Sequence, residues 1–147
     1  MVPWARTDAL LARAAGYWLS TTNADGRPHL VQQWAVWTEG ALYFGGSPET
    51  LWSRNLSRDP RAAMSVERGT EIVILEGRCA TVRPDPALAG TLAAGFARKY
   101  GRVYKYRPTP ELMAEGLWRF APRVAYAWDV RTFGRSPTRF RFSGEET

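Results

Sequence analysis

Cysteine and histidine are almost absent from the chain, which excludes several classes of protein at once. Cys79 is the only cysteine and His29 the only histidine among 147 residues. A disulfide framework needs paired cysteines, and a structural zinc site needs cysteine and histidine at short spacing. A histidine-based catalytic triad or a multi-histidine metal centre is equally disfavoured. We therefore expect no metal site, and we assign Cys79 to the core as a small apolar side chain.

Long apolar runs are also missing. No segment approaches the roughly 20 apolar residues that a membrane-spanning helix requires. The N-terminal residues include Arg6 but no apolar stretch of the kind found in secretory signals. We expect a soluble cytoplasmic protein without a membrane partner, folded as a single domain over residues 1–147 and without an internal repeat.

Lysine is scarce, although the chain is strongly basic. The net charge is +6, and of 20 basic residues only Lys99 and Lys105 are lysine. Arginine suits forked binding of carboxylate and phosphate, although genome composition also raises arginine content. The basic residues are scattered rather than gathered into the dense runs typical of nucleic-acid tails. We therefore expect an anionic ligand rather than a nucleic acid.

Short β-branched and aromatic segments separated by turns predict a mainly β fold with a few helices. The predicted strands cover residues 17–22, 29–37, 41–44, 61–67, 71–82 and 117–130, and an alternating segment over 137–142 closes the chain. The predicted helices lie between a Thr7 cap and Gly16, over residues 48–58, over residues 86–100 with Asp85 as the cap, and over residues 111–115. Gly77 predicts a bulge within the fifth strand. About six antiparallel strands with short turns predict a small barrel.

The segment over residues 43–56, YFGGSPETLWSRNL, is the first candidate for a binding site. A glycine turn at Gly45-Gly46 leads into a helix for which Ser47 is the predicted N-cap and Pro48 the first residue. Free backbone N–H groups at such a corner favour an anion. Spacing places Arg54 on one helix face with Asn55. Taken alone, the segment favours an ordinary strand–turn–helix with a solvated basic face over an anion site.

The order of motifs resembles the pyridoxamine-phosphate-oxidase-like split barrels of the flavin/deazaflavin oxidoreductase superfamily. The matching motifs are WLST before DGRPH at residues 18–29, LYFGGS at 42–47, RNL at 54–56, DPR at 59–61, EG at 76–77 and PTRFRF at 137–142. The resemblance implies a six-stranded antiparallel split barrel of the FMN-binding kind. It also implies a homodimer that holds FMN or coenzyme F420 in a cleft between subunits.

The resemblance also implies which residues contact the cofactor. Its phosphate contacts fall on Gly46, Ser47, Arg54 and Asn55, and the ring contacts include Gln32, Trp34 and Phe140. Two positions depart from the pattern: Trp52 stands where many deazaflavin-binding relatives carry lysine, and Gln32 stands where a proline is usual. Trp52 is expected either to contact the ring or ribityl chain or to cover one end of the barrel.

These expectations give one leading function and two alternatives. The leading function is a flavin- or deazaflavin-dependent oxidoreductase that transfers a hydride between the cofactor and a small unsaturated organic substrate, with F420 favoured over FMN. No side chain needs to act as a nucleophile, because the cofactor supplies the chemistry. The alternatives are a non-catalytic carrier of a flavin, haem or similar planar anion, and a nucleic-acid-binding barrel, which the scattered arginines disfavour.

Overall fold

The computed structural model describes residues 1–143 and contains four helices and eight strands. The helices are α1 (Trp4–Arg13), α2 (Leu51–Arg58), α3 (Pro86–Tyr104) and α4 (Pro110–Glu115). The strands are β1 (Tyr17–Thr22), β2 (Pro28–Gln33), β3 (Val36–Thr38), β4 (Ala41–Phe44), β5 (Arg61–Arg68), β6 (Glu71–Val82), β7 (Leu117–Asp129) and β8 (Thr138–Arg141). A short 3-10 turn (Val130–Thr132) follows β7.

One antiparallel sheet contains all of these strands and curls into a split barrel. The strand order is β2-β1-β5-β6-β7-β4-β3, with β8 paired to β7 off this path. The two strands at the ends of the path, β2 and β3, are separated in the chain by only Trp34 and Ala35. Because so short a connection joins opposite edges, the sheet must curl until those edges meet. The predicted mainly β, antiparallel split barrel is therefore confirmed.

The predicted strand number is wrong: seven strands form the continuous path and an eighth pairs beside it, rather than six. The segment predicted as one strand over residues 29–37 is broken at Trp34-Ala35. There the Ala35 N–H donates to the Tyr100 hydroxyl at 3.1 Å, and Lys99 Nζ donates to the Ala35 carbonyl at 2.6 Å. Because α3 side chains satisfy both polar groups of Ala35, the ladder is interrupted at this residue.

Two apolar clusters hold the fold together. The first fills the barrel and is closed by α1 and α2; its largest fully buried members include Tyr17, Leu19, Phe44, Met64, Leu75 and Phe120. The second lies between α3, α4 and the strands β3 and β4, and it includes Tyr43, Leu92, Phe96, Tyr100 and Met113. Cys79 is buried in the first cluster. Burial raises the pKa of its thiol to about 12, which agrees with an unreactive core residue.

Gly77 forms the predicted bulge. The register between β6 and β7 shifts between Glu76 and Gly77, and Gly77 pairs with Pro122. A Cβ at Gly77 would collide with the backbone carbonyl of Ala121. The bulge therefore requires glycine, and it accommodates a proline inside the long strand β7.

Several helix bounds differ from the predictions. The first helix begins at Trp4, so Thr7 is an interior residue rather than the cap, and its hydroxyl is buried without a partner among the described residues. Helix α3 extends to Tyr104 and ends at Lys105 in a left-handed conformation. Asp85 caps α3 as its sequence predicts, since its side chain accepts from the Leu88 N–H at 2.8 Å.

Candidate functional site

An open cleft lies beside the glycine turn that follows β4. Its volume is about 580 Å³. Three walls form it: the turn with α2, the end of β6, and the residues that join α4 to β7. The lining residues are Gly45, Gly46, Pro48, Ser53, Ser57, Thr81, Val82, Arg83, Glu115, Gly116, Leu117 and Trp118. The turn of the sequence-predicted anion corner therefore borders a cleft of ligand size.

Strand register explains why these walls meet. Phe44 at the end of β4 pairs with Trp118 of β7, and Trp118 pairs with Thr81 near the end of β6. Neighbouring strands lie about 4.8 Å apart, so the turn after Phe44 and the residues after Thr81 stand two intervals, or roughly 10 Å, from each other. One bound group can therefore reach both walls.

Trp52 packs directly beneath the glycine turn. A Cβ at Gly46 would stand 2.5 Å from Cζ2 of Trp52, so only glycine lets the backbone pass this close to the indole. The indole also contacts Phe44 and Trp118, with ring centroids 5.5 and 6.3 Å away. Trp52 is 5% exposed. It covers this end of the barrel and forms the floor below the turn.

The helix α2 begins later than predicted. Thr50, rather than Ser47, is its N-cap, since the Thr50 side chain accepts from the Ser53 N–H at 3.4 Å. The Ser47 hydroxyl instead accepts from the Glu49 N–H at 3.2 Å and stabilises a preceding turn. Among residues 1–143, the backbone N–H groups of Gly46 and Ser47 donate to no protein acceptor. Because they are exposed, these two donors are available to an anion, and the donor set at this corner fits a phosphate.

Arg54 and Asn55 point in different directions, whereas sequence spacing placed them on one face. Asn55 is 1% exposed, and its amide donates to Thr21 Oγ1 at 3.0 Å and to Asn23 Oδ1 at 2.8 Å. These bonds tie α2 to the end of β1. Arg54 is exposed on α2 and has no ion-pair partner within the part of the chain described. Its guanidinium is available to solvent or to a ligand.

The residues predicted to contact a cofactor ring lie in three other places. Gln32 is exposed on β2, where its side chain covers Gly16. Trp34 stacks on Tyr100 of α3, with centroids 4.7 Å apart and planes at 9°. Phe140 of β8 faces the barrel interior and meets Trp4 edge-on at 5.0 Å. None of the three lines the cleft.

Sequence reasoning missed a cluster around Lys99. Its ammonium donates to the Tyr17 hydroxyl at 2.7 Å and to the Ala35 carbonyl, and it lies 4.5 Å from the Tyr17 ring centroid. Burial, with a smaller contribution from Arg98, lowers the pKa of Lys99 to about 7. The scarcity of lysine was the only signal in the sequence, because α3 reaches these partners only in the folded chain.

Residues 1–143 contain neither a cluster of metal ligands nor a helix that could span a membrane. No group of three or more His, Cys, Asp or Glu side chains in this range is arranged to hold a metal ion. No helix within the same range is long and apolar enough to cross a membrane.

One family profile matches most of the chain. The profile described as pyridoxamine 5'-phosphate oxidase matches residues 4–129, which is most of the chain. The chain belongs to the pyridoxamine 5'-phosphate oxidase family. No curated protein matches it.

Solved structures of similar fold include proteins of several descriptions. A conserved hypothetical protein from Mycobacterium tuberculosis is 21% identical with a TM-score of 0.74, covering 99% of this chain and 94% of its own. An F420 reductase is 24% identical with a TM-score of 0.62, covering 80% of this chain and 94% of its own. The haem storage protein HutZ from Vibrio cholerae is 17% identical with a TM-score of 0.61, covering 83% and 91%. At such identities these likenesses establish the fold alone.

Proposed function

We propose that this chain binds a flavin-type cofactor at the cleft beside Gly46 and acts as an oxidoreductase. The reaction would be hydride transfer between the cofactor and a small unsaturated organic substrate. The observation that carries the proposal is the pair of backbone N–H groups at Gly46 and Ser47 that have no acceptor among residues 1–143, in a turn that borders a cleft of about 580 Å³ in a member of this family. Backbone N–H groups at a glycine turn before a helix are suited to bind the anionic group of a cofactor.

The chain's own residues would bind and orient the cofactor. The N–H groups of Gly46 and Ser47 would hold the phosphate, and the exposed guanidinium of Arg54 would approach it from α2, from outside the cleft lining. Ser53 and Ser57 also line the cleft, and the Ser57 hydroxyl, which donates to the Ser53 carbonyl at 3.0 Å, would accept a hydrogen bond from the polar chain of the cofactor. A bound flavin or deazaflavin supplies the hydride chemistry, so these residues need only position the cofactor and exclude water.

Between the two cofactors we favour F420 over FMN. The net charge of +6 suits the acidic tail of F420. An F420 reductase also shares the fold, as one of several neighbours with different ligands. The buried Trp52 in the place of the expected lysine is the feature that argues against F420.

We further propose that the cofactor lies at the boundary of a homodimer. The outer sheet face carries a row in which Gln32 pairs with Trp18, Trp18 with Ser65, Ser65 with Ile74 and Ile74 with Tyr126. Trp18 is 41% exposed although it lies mid-strand in a paired strand. A second copy covering this face would bury Trp18 and would bring Gln32 to the subunit boundary, where the predicted ring contact requires it.

A non-catalytic carrier of haem or a flavin is the second candidate. The observation that favours it is the presence of haem proteins among the structural neighbours, namely the storage protein from Vibrio cholerae and a haem-binding protein from Mycobacterium smegmatis. A carrier would use the same fold without turnover. The two candidate functions therefore differ in the ligand that is bound, or in whether the bound cofactor turns over.

Spectroscopic titration of the purified protein with F420, FMN and haem tests the proposal. We expect saturable binding of F420 or FMN, and we expect Arg54→Ala to weaken that binding about tenfold or more, the scale of one charge-assisted contact. Turnover of the reduced cofactor with a panel of unsaturated acceptors then separates an oxidoreductase from a carrier. Binding of haem alone would support the carrier, and binding of none of the three would refute both functions.

A further inference from the structure

Arg83 is the cation of the cleft. Of the twelve residues that line the cleft in the described part of the chain, it alone carries positive charge. Its backbone is fixed on both sides, by the paired residue Val82 at the end of β6 and by the buried Pro84 before the cap of α3. The cap residue Asp85 uses its carboxylate to accept from the Leu88 N–H. The Arg83 guanidinium is exposed and forms no ion pair within residues 1–143.

None of the α2 residues that line the cleft carries positive charge, and Arg54, which is exposed on α2, is not among the lining residues. Trp52, which meets the glycine turn, is buried against Gly46 and presents an apolar indole there. The other α2 residues that line the cleft are Ser53 and Ser57, which are neutral. Within the cleft lining, the positive charge available to an anion held by the Gly46 and Ser47 N–H groups is therefore that of Arg83, on the opposite wall.

We infer that Arg83 binds the phosphate of the cofactor across the cleft and takes the role of a lysine that α2 lacks. The strand register places Phe44 and Thr81, the paired residues that precede the two walls, roughly 10 Å apart, counted as two strand intervals, and both Gly46 and Arg83 line the cleft beyond them. An extended arginine side chain and a phosphate together bridge such a gap. The inference rests on the proposed function for the identity of the cofactor. The phosphate site itself does not depend on a flavin.

Glu115 provides a second test, in which removal of a charge should have the opposite effect on phosphate binding. It lines the same cleft from the end of α4 but forms no ion pair with Arg83 in the described structure. The guanidinium is therefore not already neutralised, and the carboxylate repels an incoming phosphate through solvent. Removal of the Glu115 charge is expected to leave phosphate binding unchanged or to strengthen it, the opposite of the effect at Arg83.

The experiment compares FMN with riboflavin, which lacks the phosphate, by fluorescence titration of the wild type and three variants. Arg83→Gln is expected to weaken FMN binding about tenfold or more and to change riboflavin binding less than twofold. Arg78→Gln is the matched control, because Arg78 is an exposed arginine on the same strand that does not line the cleft. It should change neither affinity, and Glu115→Gln should not weaken FMN binding.

Inorganic pyrophosphate provides a readout that needs no flavin. It should raise the unfolding temperature of the wild type and of Arg78→Gln, but not that of Arg83→Gln. Equal loss of FMN and riboflavin binding in Arg83→Gln, or no loss of either, would overturn the inference while the proposed function stands. Stabilisation by pyrophosphate that depends on Arg83, without any flavin binding, would refute the proposed function and support the site. A wild type that binds neither FMN, F420 nor pyrophosphate would overturn both.

Discussion

The buried amide of Asn55 offers a test of whether a predicted ligand residue stabilises the fold instead. Asn55→Ala removes the two hydrogen bonds that the amide donates, to Thr21 Oγ1 at 3.0 Å and to Asn23 Oδ1 at 2.8 Å, and a longer one that its Oδ1 accepts from Arg58 at 3.4 Å. Each contributes about 0.5–1.5 kcal/mol net. The Thr21 residue is 2% exposed, so its hydroxyl would lose a donor where water cannot easily replace it. We expect the free energy of unfolding to fall by about 2–3 kcal/mol.

Urea unfolding followed by tryptophan fluorescence and circular dichroism measures this change. Arg54→Ala is the matched control on the same helix, because Arg54 is exposed and should shift stability by no more than about 0.5 kcal/mol. Asn55→Asp keeps the size of the side chain but removes both amide donors and opposes Asn23 Oδ1 with a carboxylate, so it should also destabilise the protein. If Asn55→Ala is as stable as Arg54→Ala, the assignment of this amide as a tie between α2 and β1 is wrong.

Two further predictions concern Lys99 and the outer sheet face. Because the pKa of Lys99 is lowered to about 7, the unfolded chain binds more protons than the folded chain above that pH. The free energy of unfolding should therefore rise between pH 7 and about 8.5, below the range in which unfolded cysteine and tyrosine titrate. The urea midpoint should not rise over this pH range in Lys99→Met, and it should rise in the control Lys105→Met. The same pH dependence in both variants would contradict the prediction. Trp18→Glu should yield monomers by light scattering, whereas Val103→Glu, at a 73% exposed residue of α3, should not; a monomeric wild type would refute the proposed dimer.

Local chemistry accounts for the features that the sequence predicted well. Gly77 was predicted to form a bulge because a strand interior rarely tolerates glycine without one, and the register shift lies there. Asp85 was predicted to cap α3, and it does. The predicted cap of α2 is wrong although serine is the more common N-cap residue: residues 47–50 form a turn in which the Thr50 N–H donates to the Ser47 carbonyl at 3.2 Å, and Thr50 caps the helix.

By itself, the sequence determined the mainly β class, the positions of most strands, the glycine turn after β4 and the family pattern. These depend on residue periodicity, turn residues and caps, which act over a few neighbours in the chain. Only the tertiary structure decided that Trp52 lies beneath that turn, that Asn55 is tied to β1, and that Arg83 shares a cleft with Gly46. Each of these contacts joins strands or helices distant in the chain, and their geometry depends on how β4, β7 and β6 align and on how the barrel closes at Trp34-Ala35.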